Sequence, residues 1–381
     1  MRALFGAERG AKAEPRKILF IKMIEQGATV LAAPAIRRAA DAVGRENVYF
    51  WVFAENRPIL EVLELVPPEN VFCIRADRFS TFLIDVIRTV RAIRAARIDT
   101  TIDMEFFTRA PAVLAYLTGA RRRIGLHRFT SEAPYRGDLM THRVQYNPYL
   151  HASIAYNVLV QAALIAPDQT PLLKDAPDPA DCAPERFEPT PEEQAHVRGL
   201  LEQAAGRPVE RPLVLLNPNA SDLLPLRKWP AARFLALGKR ILAEHPDVNL
   251  VITGAPSEQA PAAELARALG SDRAISIAGK TTLRDVIVLY TLADVMVTND
   301  SGPAHFAALT EMETVILYGP ETPAVFGPIG DHAHVLSANL ACSPCVNVFN
   351  HRFSPCKDNV CMQRISVAQV YEVVKRVMND E

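Results

Sequence analysis

Short apolar runs that alternate with helix-patterned stretches along nearly the whole chain limit the fold more than any other feature of this sequence. In the first half "KILFIKM", "NVYFWVF" and "RIDTTIDM" read as strands, separated by "TVLAAPAIRRAADAVG", "RPILEVLELV" and "STFLIDVIRTVRAIRAAR". In the second half "RPLVLLNPN", "VNLVITGAP", "AISIAG", "DVMVTND" and "TVILYGP" repeat the pattern. Strands that alternate with helices pair in parallel and are covered on both faces, so each half predicts a doubly wound α/β unit. At 381 residues the chain is long for a single core. From Pro167 to Pro191 it holds seven prolines and few aliphatic residues, which makes neither helix nor central strand and marks the boundary. The expected division is 1–180, 181–365 with a cysteine-rich segment at 341–361, and a closing amphipathic helix at 366–381. That helix sets Val367, Val370, Val374 and Val377 on one face and opens with a Ser366–Gln369 capping box.

Composition narrows the function classes. With 49% apolar and 22% charged residues the chain is an ordinary folded protein, and no apolar run approaches the roughly 18–20 residues of a membrane span. The start, "MRALFGAERGAKAEPRK", lacks the apolar centre of a signal peptide, so a cytoplasmic location is expected. Six cysteines are then thiols or metal ligands rather than disulfides. Residues 1–165 hold 23 lysines and arginines against 16 aspartates and glutamates, although the whole chain is at −1. A basic half suits an anionic lipid surface or a phosphorylated acceptor, or is a set of solvated helix faces. The helix predicted over 81–97 spaces Arg88, Arg91, Arg94 and Arg97 by threes with apolar residues opposite. It is either a plain surface helix or an edge that touches phospholipid head groups.

The strand "DVMVTND" breaks into Asn299, Asp300, Ser301, Gly302 and Pro303 before a small-residue helix. Ligands of open α/β sheets bind where strands end and helices begin, because free N–H groups and the helix dipole favour an anion there. Gly302 leaves room for a phosphate, Pro303 suits a first helical turn, and Asp300 and Ser301 can cap or bind a sugar. The loop "NPNASDLLPLRKWP" offers Asn217, Asn219, Ser221 and Lys228, and "TGAPSEQ" offers Glu258 for ribose hydroxyls. Each loop alone reads as a capped turn, but three at successive strand ends point to a nucleotide site. After the first strand "EQGATV" has one glycine where a dinucleotide fingerprint needs three, and no phosphate-loop Gly-Lys-Ser/Thr is present.

The segments "KILFIKMIEQGATVLAAPAIRRA", "NASDLLPLRKWPAARF", "GKTTLRDVIVLYTLADVMVTNDSGPAHFAAL" and "ILYGPETPAVFGP" together resemble the ADP-heptose:lipopolysaccharide heptosyltransferases, glycosyltransferase family nine. That resemblance implies the GT-B architecture, two Rossmann-like parallel-sheet domains facing a cleft, acceptor on the first and sugar nucleotide on the second. It implies that Lys228 contacts the donor diphosphate and that Glu258 lies near the ribose. Thr281 and Thr282, the latter in a capping box with Asp285, would border the nucleotide. Asp300, Ser301, Gly302, Pro303 and His305 would hold phosphates and sugar.

One departure stands out. Family members commonly carry Gly-Asp after the first strand, the aspartate being the proposed general base, and aligning Pro34 with the family's proline puts Ala28 at that place. Inverting transfer needs a group to take the acceptor proton, typically a factor of about 10²–10⁴ in rate. Glu25 in the same loop is the first candidate, with Asp103 and Glu105 at the end of "RIDTTIDMEFF" expected across the same cleft.

Cys342, Cys345, Cys356 and Cys361 form a C-x2-C pair, ten residues, then C-x4-C. Their polar, turn-rich surroundings fit either a structural zinc site, with His351 as a substitute ligand, or a set of reduced thiols. A four-ligand site would be closed and not catalytic, and catalysis itself requires no cofactor.

The expected function is an inverting glycosyltransferase moving a heptose or similar sugar from a nucleotide diphosphate to a lipid-linked cell-envelope saccharide. It would work at the inner face of the cytoplasmic membrane, with peripheral contact through the basic half and no nucleic-acid partner. The alternatives are an inactive sugar-nucleotide-binding protein of the same fold, or a GT-B sugar-nucleotide epimerase.

Overall fold

The computed structural model describes residues 13–106, 108–129, 138–221, 224–350 and 352–379. The first twelve residues, on which most of the signal-peptide reading rests, and His351 lie outside them. The chain divides into two compact units, Met1–Pro184 and Glu185–Glu381.

Among the described residues the first unit has six parallel strands, β1 (Ile18–Ile21), β2 (Val48–Phe53), β3 (Val71–Ile74), β4 (Thr100–Asp103), β5 (Arg122–His127) and β6 (His142–Gln145). Their order is β3-β2-β1-β4-β5-β6. The second unit repeats this with β7 (Leu213–Asn217), β8 (Asn249–Ile252), β9 (Ala274–Ser276), β10 (Val295–Asn299), β11 (Glu313–Tyr318) and β12 (Ala333–Ser337), ordered β12-β11-β10-β7-β8-β9. Both are doubly wound, as the alternation predicts. The central strands are apolar on both sides because helices cover both faces: β1 is buried at all four residues and β7 and β10 at all five.

Strands β3, β5, β6 and β12 were not evident from hydropathy. β5 reads "RRIGLH", yet every residue in it is buried. Its arginines are accommodated because backbone carbonyls take their charge: Arg122 Nη2 donates to Ile165 O (2.8 Å), and Arg123 donates through Nε to Leu139 O (2.7 Å) and through Nη1 to Ala120 O (2.7 Å). Part of the basic excess of this half is therefore internal.

The closing helix, Val367–Asn379, buries Val370, Tyr371, Val374 and Val377 in the cluster that holds Val214, Phe234 and Ile241. It belongs to the core of the second unit. Its Ser366–Gln369 capping box is formed, with Ser366 N donating to Gln369 Oε1 (2.8 Å) and Gln369 N to Ser366 Oγ (3.2 Å). Among the described residues no helix is long and apolar enough to cross a membrane.

In each sheet the connections change direction between the first and fourth strands of the unit, β1 beside β4 and β7 beside β10. The carboxyl ends of those pairs are where a doubly wound sheet opens a crevice.

Candidate active site

At the carboxyl edge of the second sheet, four loops are knitted into one surface. β7 ends in Asn217, whose amide donates to Thr253 Oγ1 just past β8 (3.1 Å). Asn219 donates its backbone N–H to Asn217 Oδ1 (3.3 Å) and its side-chain amide to Thr253 O (3.3 Å). Gly254 lies against both loops: a Cβ there would sit 2.9 Å from Asn219 Nδ2 and 3.1 Å from Glu258 Oε2. The loop after β9 closes on it through Gly279, whose N–H donates to Gly254 O (2.9 Å). Gly279 has φ +73° and a Cβ there would be 3.1 Å from Pro256 Cα, so both conformation and space require glycine. Thr281 and Thr282 follow at once. β10 ends in Asn299, which accepts from Trp229 N (2.9 Å) and donates to Pro218 O (3.0 Å) and Asn219 O (3.2 Å).

Next to this surface is a buried charged cluster. Asp300 is 3% exposed, with Arg227 Nη1 3.6 Å from its Oδ2. Burial pushes its carboxyl above the usual range, against the pull of Arg227 and the Tyr318 hydroxyl. Glu321, just past β11, is also buried and accepts from Thr322 N (3.1 Å). Burial pushes its carboxyl up to about 8; the Thr322 N–H and Arg227 oppose the rise and the Asp300 charge adds to it. Burial, with the two carboxylates, raises the Tyr318 phenol well above 10. Two carboxyls thus share one guanidinium, and Glu321 is largely neutral at pH 7.

This geometry corrects the expectation that Asp300 and Ser301 cap the helix. Ser301 is the N-cap residue of the helix Gly302–Ala307 but makes no side-chain cap bond; its hydroxyl donates back to Asn299 O (3.2 Å). Asp300 turns inward to Arg227 instead of capping. The helix has only six residues, so its dipole is small and side-chain cations must supply most of the positive potential at the corner. His305 is buried within it, and Pro303 is at its start. Glu258 accepts from Ala255 N (2.7 Å), holding its own turn, with Oε2 toward Gly254. Thr282 forms the expected capping box with Asp285 (Asp285 N to Thr282 Oγ1 3.2 Å, Thr282 N to Asp285 Oδ2 2.8 Å), so its hydroxyl is engaged there. Ser221 is exposed and Lys228 half-buried.

In the first unit the carboxylate candidates gather at the β1–β4 switch point. Glu105 Oε1 accepts from Met23 N (2.7 Å) and Ile24 N (3.3 Å), and Lys22 Nζ lies 3.4 Å from it. Asp103 is fully buried and accepts from Glu105 N (2.9 Å) through Oδ1. The same Lys22 Nζ is 3.8 Å from Glu25 Oε2. Glu105, expected across the same cleft, instead fastens the loop that carries Glu25, and Asp103 in turn accepts from the Glu105 N–H. Glu25 is the most accessible of the three, its side chain 29% exposed. It immediately precedes the helix Gln26–Val43 with φ 71°, a left-handed conformation uncommon for a residue with a side chain. Such backbone strain concentrates at working positions.

The cysteine-rich segment spreads its four thiols over different environments. Cys342 and Cys356 are exposed, Cys345 is half-buried and Cys361 is buried against Gly319, where a Cβ would meet its Sγ at 3.0 Å. Among the described residues no three His, Cys, Asp or Glu side chains are gathered to hold a metal ion. Hydrogen bonds order the segment: Asn350 Nδ2 to Cys345 O (2.8 Å), Ser343 Oγ to Gly319 O (2.5 Å) and Asn359 Nδ2 to Lys228 O (2.9 Å) and Leu226 O (3.1 Å). The last two pin the turn that carries Arg227 and Lys228.

The model of glycosyltransferase family 9 (heptosyltransferase) matches residues 86–352. The chain belongs to glycosyltransferase family 9. It is similar to lipopolysaccharide heptosyltransferase 2 of Salmonella typhimurium, 32% identical over 130 residues, which is 33% of this chain and 36% of that protein. The chain is thus aligned with about a third of the length of that relative. Over nearly the whole chain the fold is like that of Escherichia coli ADP-heptose LPS heptosyltransferase II, with TM-score 0.71, 18% identity and 96% of this chain and 99% of that one covered. The fold also resembles that of E. coli heptosyltransferase WaaC solved with ADP-2-deoxy-2-fluoro heptose, with TM-score 0.64, 18% identity and coverage of 94% and 99%. The two parallel six-stranded α/β sheets agree with the GT-B architecture that the family resemblance implied.

Sequence reasoning missed three residues of this edge. Arg227 adjoins Lys228, and only the turn Pro225–Arg227 decides which of the two cations faces Asp300. Asn299 was visible in the polar corner, but its role in fastening two loops depends on contacts across about 80 residues. Glu321 was quoted within "ILYGPETPAVFGP"; burial, which sets its charge, is not written in the local sequence.

Proposed function

We propose that this chain is an inverting glycosyltransferase that moves a heptose-type sugar from an ADP-linked donor to a lipopolysaccharide-type, lipid-linked saccharide. The observation that carries this reading is the convergence of the loops after β7, β8, β9 and β10 on one edge with Arg227 and Lys228 beside them. Such an edge suits a nucleoside diphosphate: small residues allow close approach, amides and hydroxyls suit ribose and sugar, and two cations suit the phosphates. The ADP-heptose named for the E. coli relatives supports the choice of donor.

In the mechanism, the acceptor hydroxyl attacks the anomeric carbon as the bond to the diphosphate breaks. Glu25 takes the proton, standing in for the aspartate that Ala28 replaces, while Glu105 fastens its loop and Lys22 lies between the two carboxylates. Lys228 and Arg227 stabilise the departing diphosphate, a preorganised electrostatic contribution that falls on the transition state.

Calorimetric titration with ADP and ADP-heptose, followed by ADP release in the presence of a lipopolysaccharide acceptor, tests this reading. Arg227→Ala and Lys228→Ala should each weaken ADP binding about tenfold or more, the worth of a charge-assisted bond. Glu25→Gln should leave binding intact and lower turnover about 10²–10⁴-fold. No binding of any nucleotide would defeat the proposal, and full turnover by Glu25→Gln would remove that residue from it.

A further inference from the structure

The helix Phe79–Ala95 packs on the first unit's sheet through Phe82, Val86, Val90 and Ile93, as an amphipathic helix should. Its outward face is not uniformly polar. Phe79 is 81% exposed, and Leu83, Ile84 and Ile87 are each 44–47% exposed. Apolar residues were expected only opposite the arginine row, but these share its side of the helix. Arg88, Arg91 and Arg94 continue that outward face toward the carboxyl end and are all exposed. The only acid in the helix, Asp85, is turned inward and bound to Arg75, with Nε–Oδ2 2.8 Å and Nη2–Oδ1 2.9 Å.

The surface extends onto the neighbouring helix Arg109–Leu117. Both helices contribute to one core cluster, and Arg94 Nε donates to Leu117 O (2.9 Å), so they meet at their carboxyl ends. Val113, Tyr116 and Leu117 are exposed there, with the Arg123 guanidinium 5.5 Å from the centre of the Tyr116 ring. Single exposed apolar residues are ordinary, but seven on two adjacent helices, bordered by arginines, form a contact surface.

We propose that this two-helix face docks on an anionic lipid bilayer, with Phe79, Leu83, Ile84 and Ile87 entering the head-group boundary and Arg88, Arg91 and Arg94 on the lipid phosphates. Charge decides the occupant. A second copy of the chain would set arginine against arginine, whereas an anionic bilayer offers negative charge to the row and an apolar layer to the tip. The helix is about 25 Å long, enough to lie along the interface with its apolar end immersed. The proposal stands on the first unit alone and does not depend on the donor or the reaction.

Co-sedimentation of the full chain with vesicles tests it. The protein should pellet with vesicles of phosphatidylglycerol and phosphatidylcholine in equal parts, stay in solution with phosphatidylcholine alone, and be released by high salt. Arg88→Gln with Arg91→Gln should lower the partition about 25-fold, roughly fivefold per arginine. Leu83→Ser with Ile87→Ser should lower it at least tenfold. Both variants alter exposed positions, so an unchanged thermal midpoint and unchanged ADP titration certify the fold. Wild-type protein that ignores anionic vesicles overturns the proposal, as does a serine variant that binds like wild type. Self-association that the serine changes abolish makes a second copy the occupant and also overturns it.

Discussion

Glu321 shows how a single residue's chemistry is set by its surroundings. Its carboxyl is ordinary near pH 4.5 and is pushed up to about 8 by burial. Between those values the folded state holds a proton that the unfolded state has released, so stability falls as pH rises from about 5 to about 8 and levels off above. Asp300, raised in the same sense, adds to the trend. Glu321→Gln, neutral at every pH, should flatten much of this slope and stabilise the protein at pH 8. Denaturant midpoints across that range would measure it, and an unchanged slope would mean Glu321 is ionised in the fold. Glu25 poses the converse case. Its type and place in the loop were legible in the sequence, whereas its left-handed backbone and its shared lysine appear only when β1 and β4 are side by side.

The elements divide into those announced by local chemistry and those fixed by remote contacts. The capping boxes at Thr282 and Ser366 could be read because both partners lie within three residues. Asn299 could not, since its three partners are Trp229, Pro218 and Asn219. Asn299→Ala should leave one buried N–H and two carbonyls short of a partner, at about 1–3 kcal/mol for such an unsatisfied group. It should also loosen the edge, so ADP affinity should fall along with the thermal midpoint. A midpoint equal to wild type would show that water replaces the amide. Strand β5 makes the same point for secondary structure, because its arginines hide it from hydropathy and distant carbonyls make it possible.

At the scale of the whole molecule, each unit completes its own core. The closing helix appeared separable in the sequence, but Val370, Tyr371, Val374 and Val377 are core residues of the second unit. Val374→Ala should cost about 1–3 kcal/mol through lost burial and the cavity left behind. Removing residues 367–381 should prevent the second unit from folding cooperatively. Calorimetric unfolding would register both, and a truncated chain that retains its full transition would show that the helix is an appendage after all.

The sequence by itself determined the doubly wound class, the repeat of the pattern in two halves, the family and the loops that meet at the strand ends. Those features follow from periodicity and from turn residues whose effects act over a few positions. Tertiary structure alone decided that Arg227 faces Asp300, that burial raises the Glu321 carboxyl and that Glu105 fastens the Glu25 loop. Those contacts depend on residues that the fold brings together from distant parts of the chain, which the local pattern of residue types does not encode.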